Sequence, residues 1–380
     1  MGLALTTSPA YPAADHGGAR LEPLPFTALQ GWDADDHAAA FSSFLRTCRA
    51  IAQGAPAIRL AQATSPELRA VCHRALEFSA PDRTEARRFF ERWFTPHLVR
   101  PDTGQGFLTG YFEPELPAAR ESSPDFPIPL LSRPDDLVTL APGETIPGGD
   151  PALQAARTTP TGLVPYPDRG AIEAGALGNH AKPIAWLRDA VDRFVLQVQG
   201  SGVLRFSDGG QMRVSYAGRN GHPYTSIGRI LVQEGHLPLA AMSLESLTGW
   251  LRAHPDEGAA LMRRNRSFVF FAPAPAAADA GPIGGAGVPL TAGRSLAVDR
   301  ARWSYGLPFW LEGRLPGPEG HAPLRSLLVA QDTGTAIVGA ARGDYFVGSG
   351  AAAGTRAGLI RHQTRFIVLL PRLAGAGEAP

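Results

Sequence analysis

The sequence predicts a mainly β protein with helices, built as two domains rather than one. Three observations lead there. The chain has 380 residues, beyond the size at which a single core usually stops growing. It carries 43 Gly and 35 Pro, and turn formers in such number suit short strands, each closed by a residue that tolerates tight geometry. Its hydrophobic fraction is 44% against 19% charged, whereas a disordered chain is poor in large apolar residues and rich in net charge.

The elements follow in chain order. Residues 1–20 are small, polar and rich in Pro and Gly, which predicts a disordered N-terminal segment. From Asp35 to Gln53 the residues Phe41, Phe44, Leu45, Cys48, Ile51 and Ala52 recur at helical spacing, with Asp33 or Asp35 available as N-cap. A second helix is expected to open at Ser65-Pro66, a hydroxyl cap before a first-turn proline. A third opens at Asp82, with Glu85 as capping-box partner, and is expected to end at Pro96. After Gly104 the pattern changes to short β-type runs: first Phe107 to Phe112, then a Pro-rich stretch to about Asp168 that could begin an inserted domain. Phe194 to Gln199 reads as a strand with Phe194, Leu196 and Val198 on one face, closed by Gly200-Ser201-Gly202, and Met212 to Tyr216 reads as another. Ser226 to Glu234, Ser243 to Ala253 and Asp256 to Asn265 read as helices, and Ser267 to Phe271 restarts β structure, which continues to Leu370. No internal repeat of fixed period is present.

Charge and cysteine usage exclude several classes. Against 35 acidic residues stand 36 Lys and Arg, a net charge of +1, so no global field draws the chain to nucleic acid or anionic lipid. No apolar run approaches the roughly 20 residues of a membrane span, and the N-terminus lacks the basic start and apolar stretch of an export signal. A soluble chain is expected. Cys48 and Cys72 give neither a zinc quartet nor a disulfide framework; they could pair, but burial as small hydrophobes is the favoured expectation.

Several short segments could carry chemistry. Asp332-Thr333-Gly334 follows the apolar run Leu327 to Ala330, which would put a carboxylate at the end of a buried strand; an Asp that fixes its own turn reads equally well. A second triplet, Asp102-Thr103-Gly104, raises an aspartic protease with two carboxyls sharing a proton. Against it, Arg100-Pro101 stands where an apolar strand would have to lead in. Asp332 and Asp344 are flanked by glycines at a spacing that suits a strand, a turn and a return, so both carboxyls could face one pocket and raise one pKa. Spacing alone leaves a pair of turn aspartates equally open. Gln199-Gly200-Ser201-Gly202 offers an amide, a hydroxyl and exposed N–H groups suited to a sugar, or an ordinary hairpin. The segment from Gly218 through Arg219, Asn220, His222, Tyr224 and Ser226 is denser in polar and aromatic groups than a loop needs, although His222 alone reads as structural. Thr109 to Pro114 alone reads as a strand and turn.

Together these segments resemble the membrane-bound lytic murein transglycosylase A family. The blocks are TGYFEP at 109–114, LQVQGSG at 196–202, YAGRNGHPYTSIGR at 216–229, NRSFVFF at 265–271, GVPLTAGRSLAVDR at 287–300, and VAQDTGTAI with GDYFVGSG near the end. They occur in order between about Leu21 and Arg372, and six separated blocks are far more specific than any one of them. The resemblance implies a double-psi β-barrel domain from 21–112 and 267–373, its 3D region at about 287–373. A smaller β-barrel domain at 113–266 interrupts it, and a substrate groove is implied between the two.

The implied activity is non-hydrolytic cleavage of the MurNAc-β-1,4-GlcNAc bond of peptidoglycan to 1,6-anhydroMurNAc products, with no cofactor or metal. Asp344 matches the catalytic acid/base and Asp332 a supporting carboxylate. Thr109, Gln199 and Ser201 match sugar-holding positions, and Tyr111, Gly200, Tyr216, Asn220 and Tyr224 join them as candidates from the same blocks. The implied partners are glycan strands and other cell-wall enzymes, the implied state a monomer in the periplasm or at the outer membrane. The family is usually lipid-anchored, and no lipobox cysteine stands in this sequence. A non-catalytic wall-binding barrel is the remaining alternative to a protease.

Overall fold

The computed structural model describes residues 14–15, 19–101, 104–141, 143–274, 281–317 and 320–372. Strands dominate and helices punctuate them, so the molecule is a mixed α+β protein built mainly of sheet. The chain divides into two units. One takes the residues up to Thr109, Gly284–Phe346 and the chain from Ile360 onward; the other takes Gly110–Ile283 and Val347–Leu359.

In the first unit the three expected helices form from their caps. Pro66–Ala75 opens on Ser65, whose hydroxyl accepts from Leu68 N–H, and Arg83–Trp93 opens on a capping box between Asp82 and Glu85. His37–Ala52 is capped by Asp36 rather than by Asp33 or Asp35. Asp35 is turned inward instead, accepting from both Arg294 Nη atoms at 2.8 and 3.0 Å and from Leu327 N–H at 2.9 Å. A buried carboxylate needs such partners, and a capping role would leave it without them. The third helix ends at Trp93, not at Pro96. Phe94 is already extended and packs beside Phe44 and Phe90, and Pro96 lies inside the strand Phe94–Pro101.

Cys48 and Cys72 are disulfide-bonded, the pairing the sequence left open rather than the separate burial it favoured. The apolar faces of the first two helices meet, and this brings the Cα atoms to 4.7 Å, inside the range of about 4.4–6.8 Å that a bridge spans.

The ten-stranded sheet decides the geometry of the first unit. Its order begins Ala14–Asp15, Ala19–Pro23, Phe94–Pro101, Arg365–Pro371, Pro308–Gly317. It continues Gly320–Asp332, Ser295–Val298, Arg342–Ser349, Phe107–Glu113 and Arg361–Gln363. Gly320–Asp332 runs parallel to Ser295–Val298, which pairs antiparallel with Arg342–Ser349. The strands that carry Asp332 and Asp344 therefore run antiparallel to each other with Ser295–Val298 between them. Phe107–Glu113 and Arg342–Ser349 both carry the chain on into the second unit.

That second unit holds a six-stranded sheet in the order Val269–Pro273, Gln211–Arg219, Ser201–Phe206, Glu115–Ala119, Pro183–Leu187, Ile128–Leu131. A parallel bridge between Ser132 and Phe271 brings its two end strands together, so the sheet curls toward a barrel. Leu130, Leu187, Leu196, Leu204, Val214 and Phe271 fill its interior. The three expected helices form as Ile227–Gln233, Leu244–Ala253 and Pro255–Arg264 and pack with Val191 and Phe194 into a second core, Ser226 and Ser243 capping the first two of them.

Residues 194–199 are helical, which corrects the strand reading. They belong to Ala190–Gln199, capped by Asp189, which accepts from Asp192 N–H. Alternation of Phe194, Leu196 and Val198 suggested a strand, yet Val198 is 46% exposed. The face buried along the helix is Val191, Phe194 and Leu196 with Gln197. An aspartate start signal outweighs a three-residue alternation, because a cap satisfies N–H groups that a helix otherwise leaves open.

Candidate active site

Asp344 is the third residue of Arg342–Ser349 and lies in register with Ala297, whose other neighbour in register is Asp332. Residues in register across neighbouring strands present side chains to one face of a sheet. The two aspartates thus flank a single small residue. Asp332 is anchored, its Oδ1 accepting from Gly285 N–H and Thr333 N–H at 2.8 Å each. Its turn is held by Thr333 Oγ1 donating to Val298 carbonyl at 2.8 Å and by Arg59 donating to Thr333 carbonyl at 2.6 Å. A Cβ at 285 would sit 2.5 Å from the Tyr305 hydroxyl, so a larger residue there would have to displace that side chain.

Asp344 is differently placed. Thr109 Oγ1 donates to its Oδ1 at 2.6 Å, and Arg342 Nη2 donates to Thr109 Oγ1 at 2.7 Å. Arg342 also donates to the carbonyl of Gly343 and lies over the Phe107 ring at 5.6 Å. Burial pushes the Asp344 carboxyl up to about 6; Arg342 and the Thr109 hydrogen bond pull against that rise, and the charge of Asp332 adds to it. Burial also lowers the Arg342 guanidinium, partly offset by Asp344. The result is one carboxyl that exchanges its proton near neutral pH, which suits a general acid that must afterwards act as a base.

The other sequence candidates lie in the second unit. Tyr111 is buried in Phe107–Glu113. Beside it, Phe112 N–H donates to Gln199 Oε1 at 3.1 Å, which ties that strand to the end of Ala190–Gln199. Gly200, at φ +84°, stops the helix in a conformation that L side chains rarely adopt, and its carbonyl accepts from Tyr216 N–H at 2.9 Å. Ser201 is buried in register with Ser215. Gln199, Gly200, Ser201 and Tyr216 are thus brought together. Tyr224 is half-buried, its hydroxyl pushed above the ordinary tyrosine range by burial.

Asn220 is turned to the backbone. It is fully buried; its amide donates to the carbonyls of Pro167 and Arg266 at 3.0 and 2.9 Å and accepts from Phe268 N–H at 2.8 Å. Both of its N–H donors and one acceptor site are thus taken by backbone. His222 is structural, as expected, with Nε2 2.7 Å from Tyr166 carbonyl. Of the second DTG triplet, Asp102 and Thr103 lie outside the described residues.

Two features went unread in the sequence. Arg342 stands two positions before Asp344 on one strand, and that period-two spacing was a usable signal that both share a face. Glu113, in the TGYFEP block, is fully buried and accepts from Arg213 at 2.8 and 3.2 Å and from Ser349 at 2.6 Å. A glutamate inside an apolar strand requires such a cation, but nothing local says which one.

Known proteins resemble the chain in both sequence and fold. Residues 107–272 match the family model of the MltA specific insert domain, and residues 294–370 that of the 3D domain. The chain is 33% identical over 278 residues to membrane-bound lytic murein transglycosylase A of Escherichia coli (strain K12), covering 71% of this chain and 67% of that protein. A crystal structure of membrane-bound lytic murein transglycosylase from Agrobacterium tumefaciens is similar with a TM-score of 0.84 at 36% identity, over 93% of this chain and 98% of that one. The structure of E. coli MltA with bound chitohexaose is similar with a TM-score of 0.64 at 25% identity, over 94% and 95%. The extent of these matches establishes that the chain belongs to the membrane-bound lytic murein transglycosylase A family.

Proposed function

We propose that this chain is a peptidoglycan lytic transglycosylase in which Asp344 acts first as acid and then as base. One observation carries the reading: a carboxyl pushed up to about 6 whose Oδ1 is hydrogen-bonded to Thr109, while Oδ2 has no hydrogen-bond partner among the described residues. With its carboxyl pushed up to about 6, Asp344 keeps a protonated fraction as the pH approaches neutrality. It gives that proton to the oxygen linking MurNAc to GlcNAc; the C1–O bond breaks, and GlcNAc leaves as an alcohol. Positive charge develops at C1 beside the fixed carboxylate of Asp332. The new Asp344 carboxylate then takes the proton of the MurNAc C6 hydroxyl, whose oxygen closes on C1 to give the 1,6-anhydro ring. Atoms balance without water, and the intramolecular attack benefits from a high effective concentration.

The glycan ligand is supported by the chitohexaose in the E. coli structure. Gln199, Ser201 and Tyr216 offer an amide, a hydroxyl and an aromatic face to hydroxyl and acetamide groups. A periplasmic, outer-membrane-associated setting is supported by the membrane-bound relatives and by the Cys48–Cys72 disulfide, since such bonds persist in oxidising compartments. No helix among the described residues is long and apolar enough to cross a membrane.

The test is incubation with purified sacculi and mass analysis of the released muropeptides. Anhydromuropeptides from the native chain and none from Asp344→Asn, with glycan binding kept, are expected. Products that have taken up water, or normal lysis by the variant, would overturn the reading.

A further inference from the structure

We infer that Arg342 is a positioning residue that decides which oxygen of Asp344 carries the transferable proton, by forcing the Thr109 hydroxyl hydrogen onto Oδ1 and so leaving the proton to Oδ2. A guanidinium only donates, and a threonine hydroxyl has one hydrogen. Arg342 Nη2 sits 2.7 Å from Thr109 Oγ1, so that oxygen accepts there and its single hydrogen must go elsewhere. Asp344 Oδ1, at 2.6 Å, is where it goes. A proton on Oδ1 would face this hydrogen head-on; a proton on Oδ2 faces no donor among the described residues. Were Thr109 free to turn, Asp344 could donate from Oδ1 to Oγ1 and hold its proton in an internal bond, away from any leaving group.

The fork is itself held. Nη1 donates to the carbonyls of Gly343 and, at 3.5 Å, Phe107, while the guanidinium lies over the Phe107 ring. The charged and titratable groups around Asp344 are few. Arg342 shares its strand, Asp332 ends Gly320–Asp332, and Ser295–Val298 contributes only Ala297 in register. Phe107–Glu113 contributes Thr109, and Arg361 stands in register with Thr109 on the next strand. Arg342 is thus the cation on Asp344's own strand, and once the proton has left it also stabilises the resulting carboxylate.

The consequence for turnover rests on the lytic reading; the proton arrangement does not. Infrared difference spectra against Asp344→Asn, taken across pH on the full chain, read both the titration midpoint and the C=O stretch of the protonated acid. With the Oδ1 carbonyl accepting from Thr109, the native band lies low. Arg342→Gln and Thr109→Val should raise the band and move the midpoint up by about one pH unit. Thr109→Ser should restore both, with folding checked by circular dichroism. A band and midpoint unchanged in Thr109→Val and Arg342→Gln would overturn the inference even if anhydromuropeptides form. If none form but the spectra respond, the lytic reading fails while the proton arrangement stands.

Discussion

The surroundings of Asp344 and of Arg169 are both buried and both charged, yet they handle charge in opposite ways. Arg169 donates to the carbonyls of Asn265 and Ser267 at 2.9 and 2.6 Å and to Gln197 Oε1 at 2.7 Å, beside Glu173 at 3.7 Å and over the rings of Phe194 and Phe268. Burial lowers its guanidinium to about 10, which still leaves it charged at neutral pH. Asn220 and Asn265 complete that network by binding backbone N–H groups of Phe268, Thr225 and Ser267. Most of the polar groups of that network are taken up by backbone. Asp344, by contrast, has a single side-chain hydrogen bond among the described residues, and its carboxyl is pushed up rather than held in its ionised form. A saturated network fixes a segment of chain, and an incomplete one leaves reactivity.

Substitutions break or sharpen this contrast. The largest expected effect is on rate: Asp344→Asn should lower anhydromuropeptide release by about 10²–10⁴-fold in mass-detected lysis assays, the usual worth of a positioned acid/base. Arg169→Met should do the reverse, costing about 3–5 kcal/mol of stability by leaving the buried Asn265 and Ser267 carbonyls and Gln197 Oε1 without their donor. Denaturant titration would show that loss, and the midpoint of the Asp344 titration should not move.

Removing the Cys48–Cys72 link, which closes a sequence separation of 24 residues, should cost about 2–4 kcal/mol. Reduction during thermal unfolding would measure it.

A smaller effect concerns Asp344 itself. Its folded pKa lies above the ordinary carboxylate value, so between roughly pH 4 and 6 the native state binds more protons than the unfolded one, and stability falls as pH rises through that window. Asp344→Asn should remove the slope and raise stability at neutral pH by about 1–3 kcal/mol. Calorimetry across pH would show it, and a slope shared by native chain and variant would contradict it. The smallest effect is expected for Ser65→Ala, about 1 kcal/mol from the lost cap on Pro66–Ala75.

Much of the candidate site was legible because strand period and glycine punctuation are local. Asp332 at the end of an apolar run and Asp344 after Gly343 could be picked out from their neighbours. Asn220 could not be told from a ligand-holding asparagine, because its partners Pro167, Arg266 and Phe268 lie 46 to 53 positions away. The helix at 190–199 differs from its sequence reading for another reason. The brief alternation of Phe194, Leu196 and Val198 imitates a strand, while the segment starts from the Asp189 cap five residues earlier.

What the sequence by itself determined was what a few neighbouring residues can satisfy among themselves. The caps at Ser65, Asp82, Ser226 and Ser243 are of that kind, as are the turn glycines and the ordered blocks that mark the family. Only the tertiary structure decided that Ser295–Val298 enters between the two aspartate strands, that Cys48 meets Cys72, and that Asp344 is desolvated against Thr109, 235 positions away. Capping is a bond within one turn of helix. Burial and strand register are set by distant segments whose packing no short window of sequence contains.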